Sequence, residues 1–219
     1  MTPTPALSTN TPSYLFWMTL GLCTLLIYAL NLNTLTIYQI DQVSHEPWRW
    51  ITAHFSHFDL GHLILNVTSM GLLAWAFKDI VTLRIYSWTT LLAIAGIDCG
   101  LWWKAVNYYA GFSGVFYGVL VGCLCCLSMR SERKLSRLGW LLNVILFARI
   151  GVEVFELNPI RHEFAVFHPA HVWGYLGGLI GWMIAIMTQP TGINYLYRMA
   201  PDNDSNHAGK KEHTKQRDP

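Results

Sequence analysis

At 219 residues, 53% hydrophobic and only 13% charged, with ten tryptophans, this chain is too apolar for an ordinary soluble domain and reads as an all-α, polytopic membrane protein. The net charge of +2 comes from basic residues near the ends of apolar runs and in the C-terminal tail, which excludes a nucleic-acid-binding stripe. Five cysteines, Cys23, Cys99, Cys123, Cys125 and Cys126, lie in or beside apolar runs without a spaced framework, so no structural disulfide is expected.

The first thirteen residues are rich in Thr, Pro and Ser, with no basic region or small-residue cleavage site near the apolar run that follows. That run therefore reads as a retained helix and not as a cleaved signal peptide. The first span covers about Tyr14 to Asn31, long enough for a hydrocarbon core of roughly 30 Å. A long connection follows to about Phe58, where Trp48 and Trp50 flank Arg49 in a mixture suited to the membrane-water interface, so this loop should be partly embedded. The second span, Leu60 to Phe77, carries His62 and Asn66; the third, Leu83 to Trp103, carries Asp98. The fourth begins at Gly111 and runs to about Leu127. Leu138 to Leu157 makes a fifth, containing Arg149 and Glu153, and Val166 to Met187 a sixth, containing His171. The expected organisation is an N-terminal segment over 1–13, a six-helix membrane domain over 14–190 and a charged, disordered tail over 191–219.

Basic residues set the orientation. Arg130, Arg133, Lys134 and Arg137 crowd the connection between spans four and five, and Lys210, Lys211, Lys215 and Arg217 lie in the tail. The positive-inside rule puts both segments and both termini in the cytoplasm, and the long first loop outside. Spans two, four and six then begin at the outer face. His62 with Asn66, Ser113 and His171 fall in the first turns of these three helices, at one depth. Polar groups inside a membrane face a cavity or one another.

Gly111-Phe112-Ser113-Gly114 opens the fourth span. A serine between two glycines is open to close approach, but its hydroxyl needs a base before it becomes a nucleophile. Gly114 and Gly118 on one helix, and Gly174 and Gly178 on another, offer two smooth faces that can pack together. Such packing brings Ser113 and His171 within reach, with His171 as base. The Ser113 N–H, the Asn66 amide and the His62 ring are the oxyanion donors, and Tyr117, one turn beyond Ser113, packs on the His171 ring. The competing reading of the same glycines is a plain packing seam in which Ser113 only hydrogen-bonds across helices.

These residues resemble one family, the intramembrane rhomboid serine proteases. Glu46-Pro47-Trp48-Arg49-Trp50 is similar to the family's first-loop Trp-Arg signature, His57, His62 and Asn66 to its second-helix pattern, Gly111 to Gly114 to its GxSG, and Ala170-His171 with Gly174 and Gly178 to its AHxxGxxxG. The resemblance covers about Glu46 to Gly181. It implies a six-transmembrane-helix bundle, a Ser113 and His171 dyad without a catalytic Asp, an oxyanion hole using Asn66 and His62, a transmembrane protein as substrate, and neither metal nor cofactor. The short chain, Tyr108-Tyr109-Ala110 before the GxSG and Glu153 on the fifth helix look most like the rhombosortase subfamily, which trims substrates near a Gly-Gly ahead of a C-terminal apolar helix. Arg149 and Glu153 also read as an i,i+4 ion pair that lowers the cost of two charges in the bilayer.

Two rival readings belong to other classes. His54, His57 and His62 with Asp59 offer metal-ligand chemistry, although their spacing matches no HExxH helix. A catalytically inactive relative that binds membrane helices is the other, and such proteins usually lack the serine or the histidine that this chain has. The expected localisation is a bacterial inner membrane.

Overall fold

The structure is a computed structural model that describes residues 11–155 and 167–189. The tail expected over 191–219, the ends of spans five and six at Leu157 and Val166, and most of the N-terminal segment lie outside the described residues. In chain order the elements are α1 (Thr11–Ala29), the short α2 (Asn33–Thr36), β1 (Tyr38–Gln39), α3 (Arg49–Thr52) leading into a 3-10 turn (Ala53–Phe55), α4 (Leu60–Ala76), α5 (Leu83–Lys104), β2 (Tyr108–Tyr109), α6 (Ser113–Ser128), α7 (Arg133–Val154) and α8 (Pro169–Met187). The fold is mostly helical, with six long helices among the described residues. Of these, α7 and α8 are long and apolar enough to cross a membrane, while α1, α4 and α6 are apolar but shorter. Arg84, Asp98 and Lys104 interrupt the apolar pattern of α5.

Local signals explain the helix ends. Asp59 caps α4 by accepting the His62 N–H at 2.8 Å, and Pro169 occupies the first turn of α8. The expectation that Arg133, Lys134 and Arg137 belong to a connection is corrected: α7 starts at Arg133, five residues before the expected Leu138, and these side chains lie on its first turns. Arg and Lys are good helix formers whose heads reach water while their stems cover apolar surface, so the helix outruns its apolar span.

α6 is the hub. Val115, Val119, Val121 and Cys123 are fully buried, and neighbours close on it from several sides. Gly174 lies against the backbone of Gly114 and Gly178 against that of Gly118, so α6 and α8 run parallel with main chains in contact. A second stripe on α8, Gly177 and Gly181, meets the α5 backbone at Leu92, Ala93, Trp88 and Thr89. α5 also packs directly on α6, with Ala93 over Gly118 and Thr89 over Gly122. Backbones this close gain extensive van der Waals contact, which only small residues allow. On the far side, Gly139 of α7 sits on the α6 backbone at Leu127 and Ser128.

The first loop is held by hydrogen bonds from its own side chains. Arg49, expected between Trp48 and Trp50 at the membrane interface, is instead buried. Its guanidinium donates to the Ile37 carbonyl at 2.6 Å and the Thr34 carbonyl at 3.0 Å, and it pairs with Glu46 at 2.6 Å. A buried guanidinium is stable only when its donors are satisfied in this way. Trp48, Ile51 and Leu35 face outward, an apolar surface that suits the expected partial embedding.

Two substitutions test the seam. Gly178→Ala places a methyl against the Gly118 main chain and should lower the thermal midpoint in detergent, by the equivalent of about 1–3 kcal/mol for overpacking. Gly71→Ala, where nothing lies within 4 Å of the added carbon, should be neutral or slightly stabilising. Equal midpoints for the two variants would contradict backbone contact between α6 and α8.

Candidate active site

Ser113 is the first residue of α6, and the segment before it is pinned to the first loop. β2 pairs antiparallel with β1, Tyr38 opposite Tyr109 and Gln39 opposite Tyr108. The Gly111 N–H donates to the Ala53 carbonyl at 3.0 Å, and the Tyr109 hydroxyl donates to the Gly111 carbonyl at 2.9 Å. Phe112 is fully buried, edge-on to Trp17 and against Phe55. Gly111 has φ +128°, a conformation that L side chains rarely adopt, and a Cβ there would lie 2.7 Å from the His62 ring. Only glycine therefore lets the chain pass beside His62 and turn into α6.

The parallel packing of α6 on α8 brings the two first turns together. His171 Nε2 lies 3.0 Å from Ser113 Oγ, and the Tyr117 ring stacks on the imidazole at 4.4 Å with 6° between planes. The other ring nitrogen, Nδ1, lies 2.6 Å from Glu153 Oε2. α7 runs antiparallel to α6, so its last turn ends at the level where α6 begins, and Glu153 there is buried. Its second oxygen, Oε1, takes the Tyr117 hydroxyl at 3.2 Å and Arg149 at 2.9 Å. The expected i,i+4 ion pair is present, but Glu153 also reaches across to His171. Along the chain this residue reads as half of a charge pair and as a point of subfamily likeness, with nothing local to tie it to His171, although the direction of α7 puts its C-terminal turn level with Ser113.

The remaining donors lie on α4 and at the start of α6. Asn66 is buried, and its amide donates one hydrogen to the His62 carbonyl at 3.0 Å, leaving its second N–H for another acceptor. The His62 ring flanks Gly111. The N–H of Ser113 is among the first of a helix, which have no carbonyl four residues back to bond. Such N–H groups attract negative charge to the helix N-terminus.

The histidines expected as a rival metal cluster are divided among other tasks. His54 is buried and lies 3.1 Å from Asp98, edge-on to Tyr109; Asp59 caps α4; and His57 lies against the His62 ring. Ligand atoms do gather elsewhere, where Glu153, His168 and His171 offer donors within 4.8 Å of one another. Both nitrogens of His171 are already engaged with Ser113 and Glu153. An ion bound to that ring would have to break one of those bonds.

A family model of the rhomboid domain matches residues 44–188, well over half of the chain. The chain belongs to the rhomboid family. That family consists typically of intramembrane serine proteases, and the match together with the apolar helices marks this rhomboid as an integral membrane protein. No curated protein matches it. The matched region spans every residue of the site, from the first-loop Arg49 through Asn66, Ser113 and Glu153 to His171.

One buried group outside the helices makes rhomboid stability depend on pH. Burial, and secondly the neighbouring His62 ring, lower the His57 pKa from 6.5 to about 4. The unfolded chain then takes up this proton at a higher pH than the folded one. The contribution of His57 is full above pH about 6.5 and is lost as the pH falls toward about 4. Thermal midpoints in detergent across that window should fall less steeply for His57→Leu than for the unsubstituted protein. Parallel curves would show that His57 is not held neutral.

Proposed function

We propose that this rhomboid is an active intramembrane serine protease in which Ser113 is the nucleophile and His171 the general base. The observation that carries this reading is the 3.0 Å approach of His171 Nε2 to Ser113 Oγ at the half-buried junction of α6 and α8. Inactive relatives usually lack the serine or the histidine, and this chain carries both. Oγ attacks the carbonyl carbon of the scissile bond as its proton passes to Nε2. The carbonyl oxygen takes the negative charge and is held by the Ser113 N–H, the Asn66 amide and the His62 ring. Collapse breaks the C–N bond, the leaving nitrogen takes the proton from Nε2, and water then releases the acyl group from Ser113 by the same steps. Neither a metal nor a cofactor takes part.

In the proposed topology all six long helices cross the membrane. α4 and α6 are shorter than a full span of about 20 residues. Their outer ends are continued by irregular backbone of the first loop and of the segment 105–112. Such backbone is tolerated at membrane depth only where protein covers it or a water-filled cavity meets it. The serine would then lie below the outer surface, with water reaching it from that side. Arg130, Arg133, Lys134 and Arg137 stand at the opposite end of the bundle, which the positive-inside rule places in the cytoplasm of a bacterial inner membrane.

A substrate helix hides its carbonyls in i to i+4 hydrogen bonds, so it must unwind locally before attack. The bond cut lies near the outer end of the substrate span, at small or helix-breaking residues. The subfamily resemblance narrows this to a Gly-Gly pair ahead of a C-terminal apolar helix with a basic end. Glycine eases the unwinding by about 1 kcal/mol per residue relative to alanine.

Comparison of new protein N-termini in cells carrying this chain or its Ser113→Ala variant should reveal products that begin at the outer end of an apolar segment. Ser113→Ala and His171→Ala should each abolish those products, while Asn66→Ala should lower the rate by about a hundredfold to a thousandfold. Products that persist unchanged in Ser113→Ala would refute the assignment of the nucleophile. Cuts at the cytoplasmic end would refute the topology.

A further inference from the structure

We infer that Glu153 is a positioning residue that fixes the tautomer of His171, so that the site works as a three-member chain of serine, histidine and glutamate with Arg149 as the part that keeps the carboxylate oriented. This inference rests on the serine protease reading of Ser113 and His171. A base can take the serine proton only if Nε2 carries a free lone pair, so the ring proton must sit on Nδ1. An ionised carboxylate is an acceptor with no hydrogen to give. Glu153 Oε2, 2.6 Å from Nδ1, therefore selects the Nδ1–H form and leaves Nε2 open toward Ser113 Oγ at 3.0 Å.

Charge balance completes the arrangement. Arg149 pairs with Glu153 at 2.9 Å, so the carboxylate, guanidinium and neutral imidazole sum to zero in the resting site. When Ser113 Oγ bonds to the substrate carbon and its proton moves to Nε2, the new imidazolium faces the carboxylate. The matching negative charge appears on the substrate oxygen. Tyr117 ties the parts together, with its ring flat on the imidazole and its hydroxyl on Glu153 Oε1.

The two oxygens of Glu153 have different surroundings, and this gives a test that a packing role alone would not meet. Oε1 faces Arg149, which can only donate, and the Tyr117 hydroxyl, which can donate or accept. In Glu153→Gln the guanidinium forces the amide oxygen into the Oε1 place, and the NH2 group falls against His171 Nδ1. Nδ1 must then accept, the ring proton moves to Nε2, and the base is blocked. Adding Arg149→Met removes the one obligate donor on Oε1 among the described residues. The amide can then turn over, giving its NH2 to the Tyr117 oxygen and its carbonyl to Nδ1–H, and the working tautomer returns.

The experiment measures the rate at which a fluorophosphonate probe labels Ser113 in detergent-solubilised protein. In this reaction the Oγ–P bond forms, the P–F bond breaks and the serine proton goes to Nε2. Glu153→Gln should label about a hundredfold or more slowly, in line with the loss when a histidine's carboxylate partner becomes an amide. Glu153→Asp, which keeps an obligate acceptor, should fall between. Glu153→Gln with Arg149→Met should label at least about tenfold faster than Glu153→Gln alone, even though Arg149→Met by itself should label more slowly than the unsubstituted protein. Labelling of Glu153→Gln within about threefold of the unsubstituted rate, or no gain on adding Arg149→Met, would overturn the assignment. A complete absence of labelling in the unsubstituted protein would instead remove the serine protease reading beneath it.

Discussion

The contact between two main chains, Gly174 on Gly114 and Gly178 on Gly118, is the constraint on which the rest of the structure depends. Side chains at these positions would push α6 and α8 apart, and the reach from His171 to Ser113 has no slack to absorb the shift. A hydrogen bond at 3.0 Å weakens steeply with even a modest displacement. The second stripe, Gly177 and Gly181 on α5, fixes α8 from its other side. α8 is thus clamped between two backbones, and its first turn has little freedom to move away from α6. The geometry of the site is in this sense a product of packing by small residues and not of the polar residues themselves.

The charged residues pose the opposite problem, since burying a charge is costly unless it is paired. Arg49 is held by two carbonyls and Glu46, one ring nitrogen of His54 by Asp98, and Glu153 by Arg149, Tyr117 and His171. The first two pairs hold the first loop and its neighbour β2, which in turn hold Gly111 and Phe112 at the entry to α6. Only the third lies at the serine. The same requirement to pair buried charge therefore serves two ends in one molecule: a rigid scaffold for the loops beside the site, and a compact hydrogen-bonded group within it.

Much of this is legible in the sequence, and for physical reasons. Apolar runs locate the long helices because such stretches must leave water, and the glycine spacing of four marks the faces that meet. The common depth of His62, Asn66, Ser113 and His171 follows from chain direction alone. Arg49 is misleading along the chain because an arginine between tryptophans resembles an interfacial anchor, and only the folded loop reveals carbonyls converging on it. The start of α7 is hidden because an apolar window ends where the lipid ends, while the helix continues through Arg133 and Lys134. Glu153 is half visible. Its i,i+4 partner can be seen along the chain, but its bond to His171 joins residues on different helices, and no local pattern reports it.

The most direct measurement of the central claim is a structure of the protein after reaction with diisopropyl fluorophosphate. The expected result is phosphorus bonded to Ser113 Oγ, the phosphoryl oxygen directed at the Ser113 N–H and the Asn66 amide, and His171 still between Ser113 and Glu153. An adduct on any other residue, or a phosphoryl oxygen turned away from α4 and from the first turn of α6, would contradict it.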